Sequence, residues 1–397
     1  MMSVWSSLVG QEAAVAKLSE AAASARAIVA SRGGAHASDD ARSMSHAWLI
    51  TGPPGSGRSV AARAFAAALQ CTGETVGCGQ CAGCRTTMGR TNADVVFAAT
   101  ETSIINVETA RSLVLQAQSS PSQGLWRVIV VEDADRLGES GANALLKAIE
   151  EPPEHTVWLL CAPSPEDMIA TIRSRCRHLG LRIPTAAAVA DLLVREGVAT
   201  PEVALEAARA AQSHIGLARA LARDPQMRER RRAIITAPAS VRSVGEAVMA
   251  ADRLLETAKA QADAQVSERN AREKAELLRQ LGMDEGESAT KASRTMIRQL
   301  EEDQKRRSKR ALTDAIDRAL IDLLAIYRDV LMVQVGGDGE LINTDLADLV
   351  SQIARDSTPR QTLARVDHIE TARKRLVSNG NPLLVLEDMA ISLRPQA

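Results

Sequence analysis

The octapeptide Gly52-Pro53-Pro54-Gly55-Ser56-Gly57-Arg58-Ser59 constrains what this chain can fold into more than any other segment. It follows a short apolar run, Ala47-Trp48-Leu49-Ile50, and precedes the small apolar residues of Val60 to Leu69. A strand, a glycine-rich turn and a helix in that order predict the opening of a βαβ unit and a parallel sheet. The pattern then repeats. Asp94 to Ala98 predicts a strand and Val107 to Ala117 a helix. Val128 to Val131 is wholly apolar and β-branched, as strands buried on both faces are. Asn143 to Glu151 predicts a helix stopped by Pro152-Pro153, and Thr156 to Cys161 another buried strand. The alternation ends near Pro184. Ahead of it, residues 1–30 predict an Ala-rich helical lead-in, and 31–42, rich in Gly, Ser and Asp, a loop.

From Thr185 onward the pattern is helical. Two or three short helices are expected over 185–223, around Gly197 and Gly216. Between Ser267 and Arg310, 21 of 44 residues are charged and none is aromatic. A solvated helix pair or a partly disordered stretch would account for that, and a helix pair with a loop at Gly282–Ser288 is the expectation. Leu312, Ile316, Leu320, Leu323, Tyr327 and Leu331 step by three and four, which marks one buried helix face. Further helices are expected around 346–353 and 362–377, and a last one over 383–393 after Asn381-Pro382.

Charge and composition exclude several function classes. Lys and Arg number 48 against 49 Asp and Glu, so the chain is no bulk-charge nucleic-acid binder. Two Phe, four Trp and one Tyr are too few for rows of base-stacking aromatics. No apolar run reaches the ~18–20 residues of a bilayer span, and Met1 to Trp5 lacks the features of a signal peptide, so a cytoplasmic protein is expected.

Four of the six cysteines, Cys71, Cys78, Cys81 and Cys84, form C-x6-C-x2-C-x2-C. Two-residue spacers let thiolates converge on one ion, and four thiolates complete tetrahedral zinc. The small Gly79, Ala82 and Gly83 allow the backbone to wrap it. Nothing leaves an open coordination position, so a structural Zn²⁺ is expected. Free thiols are the alternative, as is an iron–sulfur cluster, whose ferredoxin spacing this run does not match. Cys161 is expected as a buried strand residue.

In the octapeptide, Gly52, Gly55 and Gly57 would let backbone N–H groups approach phosphate at a helix N-terminus, with Ser59 placed to ligate Mg²⁺. Arg58 stands where the phosphate-loop pattern asks for Lys. Charge survives, but a compact ammonium becomes a planar fork. The alternative is a tight strand–helix turn kept for folding. Glu132-Asp133 ends the strand 128–131, where a phosphate-loop ATPase wants Asp for Mg²⁺ followed by Glu for water. The order is reversed, which displaces each carboxylate by one methylene of about 1.5 Å. Misplacement of that size costs ~10²-fold in rate, so ATP or ADP with Mg²⁺ would be held and hydrolysed poorly. Solvated strand-end acids are the alternative.

These segments resemble bacterial clamp loader subunits of the AAA+ class. The resemblance rests on Leu8-Val9-Gly10-Gln11-Glu12, His46-Ala47-Trp48-Leu49 leading into the phosphate loop, and the four-cysteine insertion after its helix. Asn143-Ala144-Leu145-Leu146-Lys147, Glu150-Glu151-Pro152-Pro153 and Ser174-Arg175-Cys176 follow in order, over roughly 3–221. The last third matches only in its helical pattern and Asn381-Pro382. The resemblance implies an α/β RecA-like AAA+ domain over 1–184, with a parallel sheet and a zinc module at 71–84. An all-α lid over 185–242 and an all-α collar or oligomerisation domain over 243–397 would follow.

Two subunit types of the family carry this set, the gamma/tau motor ATPase and the delta prime stator. The motor keeps Lys, Asp-Glu and a sensor Thr, where this chain has Arg58, Glu132-Asp133 and Cys161-Ala162-Pro163-Ser164. Ser174-Arg175-Cys176 is intact, and the combination is similar to the delta prime type. That implies a weak or absent ATPase and partners among gamma/tau and delta subunits, a sliding clamp and, through the complex, primed DNA, with no membrane. Arg175 would reach a neighbour's ATP, and Arg219 would touch a γ-phosphate. An active motor subunit is the alternative function. On the residues alone, Arg175 also reads as a surface arginine capping a helix end and Arg219 as a polar-face residue.

Overall fold

Side chains on successive strand residues point to opposite faces of a sheet, and here both faces are apolar. In the computed structural model the strands β1 (Ala47–Thr51), β2 (Val95–Ala98), β3 (Arg127–Val131), β4 (Thr156–Ala162) and β5 (Arg177–Gly180) form one sheet in the order β2-β3-β4-β1-β5. Every pairing is parallel. The model describes residues 3–31, 43–98, 104–281 and 291–394. The loops expected at 31–42, Ser31 apart, and at Gly282–Ser288 lie outside the described residues.

Trp48, Ile50, Val128, Val130, Val157, Leu159 and Cys161 face one side, against α1 (Glu12–Ala30) and the alanine-rich α2 (Arg58–Leu69). Leu49, Ile129, Val131, Trp158 and Leu160 face the other, against α4 (Val107–Ala117) and α5 (Glu139–Glu150). Between α2 and β2 lies α3 (Ala82–Met88), and α6 (Ala170–Arg173) precedes β5. Cys161 is wholly buried in β4, and burial pushes its thiol up to about 12. Two boundaries differ from the sequence expectation. The strand β5 was not expected, because only Leu179 of its four residues is buried. The helix α5 starts at Glu139, four residues early, with Gly138 as its N-cap and the acidic Glu139 in its first turn, where it meets the helix N-terminus favourably. Three short helices follow the sheet: α7 (Ala186–Arg195), α8 (Pro201–Ala210) and α9 (Ile215–Arg223).

The chain divides into two compact units, 1–219 and 220–397. The second is helical: α10 (Pro225–Ser240), α11 (Val244–Gln280), α12 (Lys291–Gln334), α13 (Ala347–Arg355), α14 (Pro359–Val377) and α15 (Pro382–Leu393). Ile316, Leu320, Leu323 and Tyr327 of α12 lie in its core, as their spacing predicts. The charged stretch forms an antiparallel pairing of α11 with α12. It is held by a small Ala262, Val266, Ala311 cluster and by Arg307, which bonds Glu273 at 2.8 Å and Asn270 at 2.8 Å. A buried Arg231 joins α10 to Asp322 of α12 at 3.0 Å and to Asn343 at 2.6 Å.

Candidate nucleotide site and cysteine cluster

The glycine-rich loop leaves the C-terminal end of β1, the side on which open parallel sheets bind ligands. Gly57 caps α2 in a left-handed conformation, φ 90°, ψ 25°. Gly55 also has φ 90°, and a Cβ there would lie 2.9 Å from the Cα of His214. Only glycine lets the loop adopt this shape and touch the turn before α9. Residues 54–60, His214, Ile215, Gly216 and Arg219 line a cleft of ≈350 Å³. Gln11 fastens the loop from behind, donating to the carbonyls of Ser56 at 3.3 Å and Arg182 at 2.5 Å. The buried Ser56 hydroxyl has no partner among the described residues. An orphaned buried hydroxyl and a glycine-only cradle at a helix N-terminus fit a phosphate group. Arg58 bends back, and its Nη1 donates to the Gly52 carbonyl of the same loop.

Charges from three segments converge beside the loop. Burial raises the Cys161 thiol first; Glu132 and Asp133 add to the rise, and Arg58 opposes it. Burial likewise raises the Asp135 carboxyl, with Asp133 adding and Arg58 opposing. Arg58 and Asp133 thus act on both Cys161 and Asp135, and Glu132 on Cys161, at the C-terminal end of the sheet. Glu132 is already engaged, however: Arg90 Nη2 donates to its Oε1 at 2.5 Å. Arg90 also lies over the Phe97 ring at 5.0 Å and has φ 58°, a left-handed conformation uncommon outside glycine. It leaves the end of α3, so the segment bearing the cysteines reaches the strand-end acid directly. Sequence reasoning missed Arg90, Gln11 and His214. Gln11 lay within a segment quoted for the resemblance, but nothing local signalled the other two.

The two remaining arginines are both paired. Arg219 makes a two-pronged contact with Glu196, Nε to Oε2 at 2.9 Å and Nη2 to Oε1 at 2.8 Å. Arg175 Nε contacts Glu150 at the end of α5, and its Nη1 donates to Thr171 O of α6 at 2.7 Å. Its side chain is 39% exposed. It therefore caps a helix end at the surface while its head group remains accessible.

The four clustered cysteines offer sulfurs that all lie within 4.8 Å of one another. Cys71 Sγ is 3.7 Å from Cys78 Sγ and 3.9 Å from Cys81 Sγ. Four thiolates at ≈2.3 Å around Zn²⁺ form a tetrahedron with edges of about 3.8 Å. The donor set and its spacing therefore fit a closed tetrahedral metal. Backbone N–H groups of Gln80 and Cys81 donate to Cys78 Sγ, and that of Cys84 to Cys81 Sγ, each at 3.4 Å. Burial raises the Cys81 thiol, but hydrogen bonds from Cys84 and Thr72 outweigh it and bring it to about 6. Cys71 is also lowered, whereas burial raises Cys84. Ser3 and Val4 tie the N-terminal segment to this module through Gly77 O, both at 3.0 Å.

The first half of the chain is similar in sequence to replication proteins. Residues 36–185 match the model of the family described as DNA polymerase III, delta subunit. The matched range holds the phosphate loop, all four clustered cysteines, Glu132-Asp133 and Arg175. DNA polymerase III subunit gamma/tau of Mycobacterium tuberculosis is 35% identical over 159 residues, 39% of this chain and 28% of that protein. Subunit delta' of Pseudomonas aeruginosa is 34% identical over 165 residues, 41% of this chain and 50% of that protein. The chain thus spans half or less of the length of the curated relatives it matches. A gamma subunit-related protein of Thermotoga maritima aligns over 88% of this chain and 94% of its own, at 16% identity and a TM-score of 0.38. Identity to the gamma/tau and delta' types is nearly equal, so it does not separate them. No described helix is long and apolar enough to cross a membrane.

Proposed function

We propose that this chain is a stator-type, delta prime-like subunit of a DNA polymerase III clamp loader, which donates Arg175 to a partner's nucleotide and hydrolyses little itself. The observation that carries this reading is the state of its own site. Arg58 donates to its own loop, and Glu132, one of the two reversed acids, is ion-paired with Arg90. A motor must present both groups to Mg²⁺ and the phosphates. Arg175, by contrast, is surface-accessible, and its Glu150 partner is a single exchangeable carboxylate.

In this reading, residues 1–184 form the AAA+ domain, 185–242 the lid and 243–397 the collar. Gly52, Gly55, Gly57, Arg58 and Ser59 would hold the phosphates of ATP or ADP, Glu132 and Asp133 would face Mg²⁺, and Arg219 would meet a γ-phosphate after releasing Glu196. Cys71, Cys78, Cys81 and Cys84 would hold one Zn²⁺, which fixes α3 onto the end of α2. The partners are gamma/tau and delta subunits, the sliding clamp and primed DNA. A trans arginine adds positive charge where the transferring phosphoryl group needs it. Steady-state ATPase of the chain alone tests the assignment. Turnover far below ~10 s⁻¹ is expected, and turnover near that value would make the chain a motor.

A further inference from the structure

Arg365 of α14 is buried, with 8% of its surface exposed, yet it makes no hydrogen bond and no ion pair among the described residues. Its guanidinium lies over the ring of Tyr327 of α12, 5.8 Å from the centroid. The cation–π contact gives the guanidinium no anionic partner, and its nitrogens keep access to the solvent of a neighbouring cavity. It lines a cavity of ≈390 Å³. Arg242, in the turn between α10 and α11, lines the same cavity; its Nη1 donates to the Ala239 carbonyl at 2.8 Å, its backbone N–H donates to Glu246 Oε2 at 2.6 Å, and its guanidinium pairs with no carboxylate among the described residues. Asp356 also lines the cavity but pairs with neither arginine, so two cations face one anion. The rest of the wall is partly apolar, from Ile353 of α13 and Leu393 of α15.

We propose that this cavity binds a small organic anion, its carboxylate or phosphoryl oxygens on Arg365 and Arg242 and its apolar body against Ile353 and Leu393. A guanidinium presents paired N–H donors that match two oxygens of such a group. The Gln352 side chain, also in the wall, can donate to the same oxygens, and Asp356 can accept from a hydroxyl or N–H on the ligand. The site lies in the helical unit and does not depend on the function proposed for the phosphate loop.

Tyr327 is the one tyrosine of the chain, so fluorotyrosine labelling places a single ¹⁹F signal in the cavity wall. The full-length labelled chain is titrated with benzoate, and separately with inorganic phosphate, at constant ionic strength. Benzoate is expected to shift the signal saturably and to bind one per chain by calorimetry. Arg365→Gln should weaken benzoate about tenfold or more, and Arg242→Gln about threefold, as loss of charge-assisted hydrogen bonds does. Arg242 is exposed, so its variant decides the matter if Arg365→Gln does not fold. Absence of a saturable shift with either anion, or unchanged affinity in the variants, overturns the site. Phosphate binding as tightly as benzoate overturns the assignment of an organic body.

Discussion

Replacing Cys81 with Ser removes one of four sulfurs that the fold gathers within 4.8 Å of one another. The observed separations of 3.7 Å and 3.9 Å bracket the about 3.8 Å that Zn²⁺ with four thiolates demands. A structural zinc contributes an apparent ~10–16 kcal/mol of binding, comparable to or larger than the whole stability of a domain. Helix α3 has seven residues, too few to persist alone, and it depends on the cluster at its start. Cys81→Ser should therefore cut bound zinc from one equivalent to less than about half and loosen 71–90 locally. The sheet should survive, because the strand residues on both faces pack without the cysteines. Metal analysis by mass spectrometry and hydrogen exchange across 71–90 provide the readouts. Zinc content unaltered by Cys81→Ser, or less than half an equivalent in fresh wild-type protein, would refute the reasoning.

Two further perturbations follow from single contacts. Arg90→Gln frees Glu132, so Mg²⁺-dependent binding of a fluorescent ATP analogue should tighten by about 1 kcal/mol, roughly fivefold, the modest value of a half-exposed pair; unchanged affinity would show that the pair does not occlude the site. Asp94 is fully buried and accepts from the backbone of Ser122, Gln123 and Gly124 at 2.7, 2.7 and 2.5 Å, beside Arg127 at 3.5 Å. Asp94→Ala should cost about 3–5 kcal/mol in urea unfolding, and a loss under about 1 kcal/mol would refute it. Burial raises this carboxyl, but the three amides outweigh it, so its folded pKa lies below the unfolded value. Its contribution is complete above about pH 4 and is lost as pH falls through the folded pKa, the usual sign for a carboxylate held ionised.

What was legible in the sequence depended on how local its cause is. The three inner strands were readable because β1, β3 and β4 are apolar on both faces and the loop after β1 is rich in glycine. The edge strand β5 was not, because Arg177 and His178 are polar and exposed and a single leucine carries no period. The cysteine cluster was readable because its spacers act within fourteen residues of chain. The Arg90–Glu132 pair was not, because 42 residues separate its partners and only the packed sheet brings them together. The Glu196 partner of Arg219 and the Glu150 partner of Arg175 were hidden for the same reason. The unpaired Arg365 could not be read at all from a helix that carries five basic and two acidic residues, any of which could have been its partner or its like.

The central claim is that this chain supplies catalysis to a neighbour through Arg175. The most direct test is DNA-stimulated ATPase of the reconstituted loader carrying Arg175→Ala, alongside Arg58→Ala. An exposed surface arginine contributes little to stability, so assembly should persist. ATPase should fall partially with Arg175→Ala, since motor subunits keep their own interfaces, and change much less with Arg58→Ala. A silent Arg175→Ala beside a crippling Arg58→Ala would contradict the account and identify the chain as a motor.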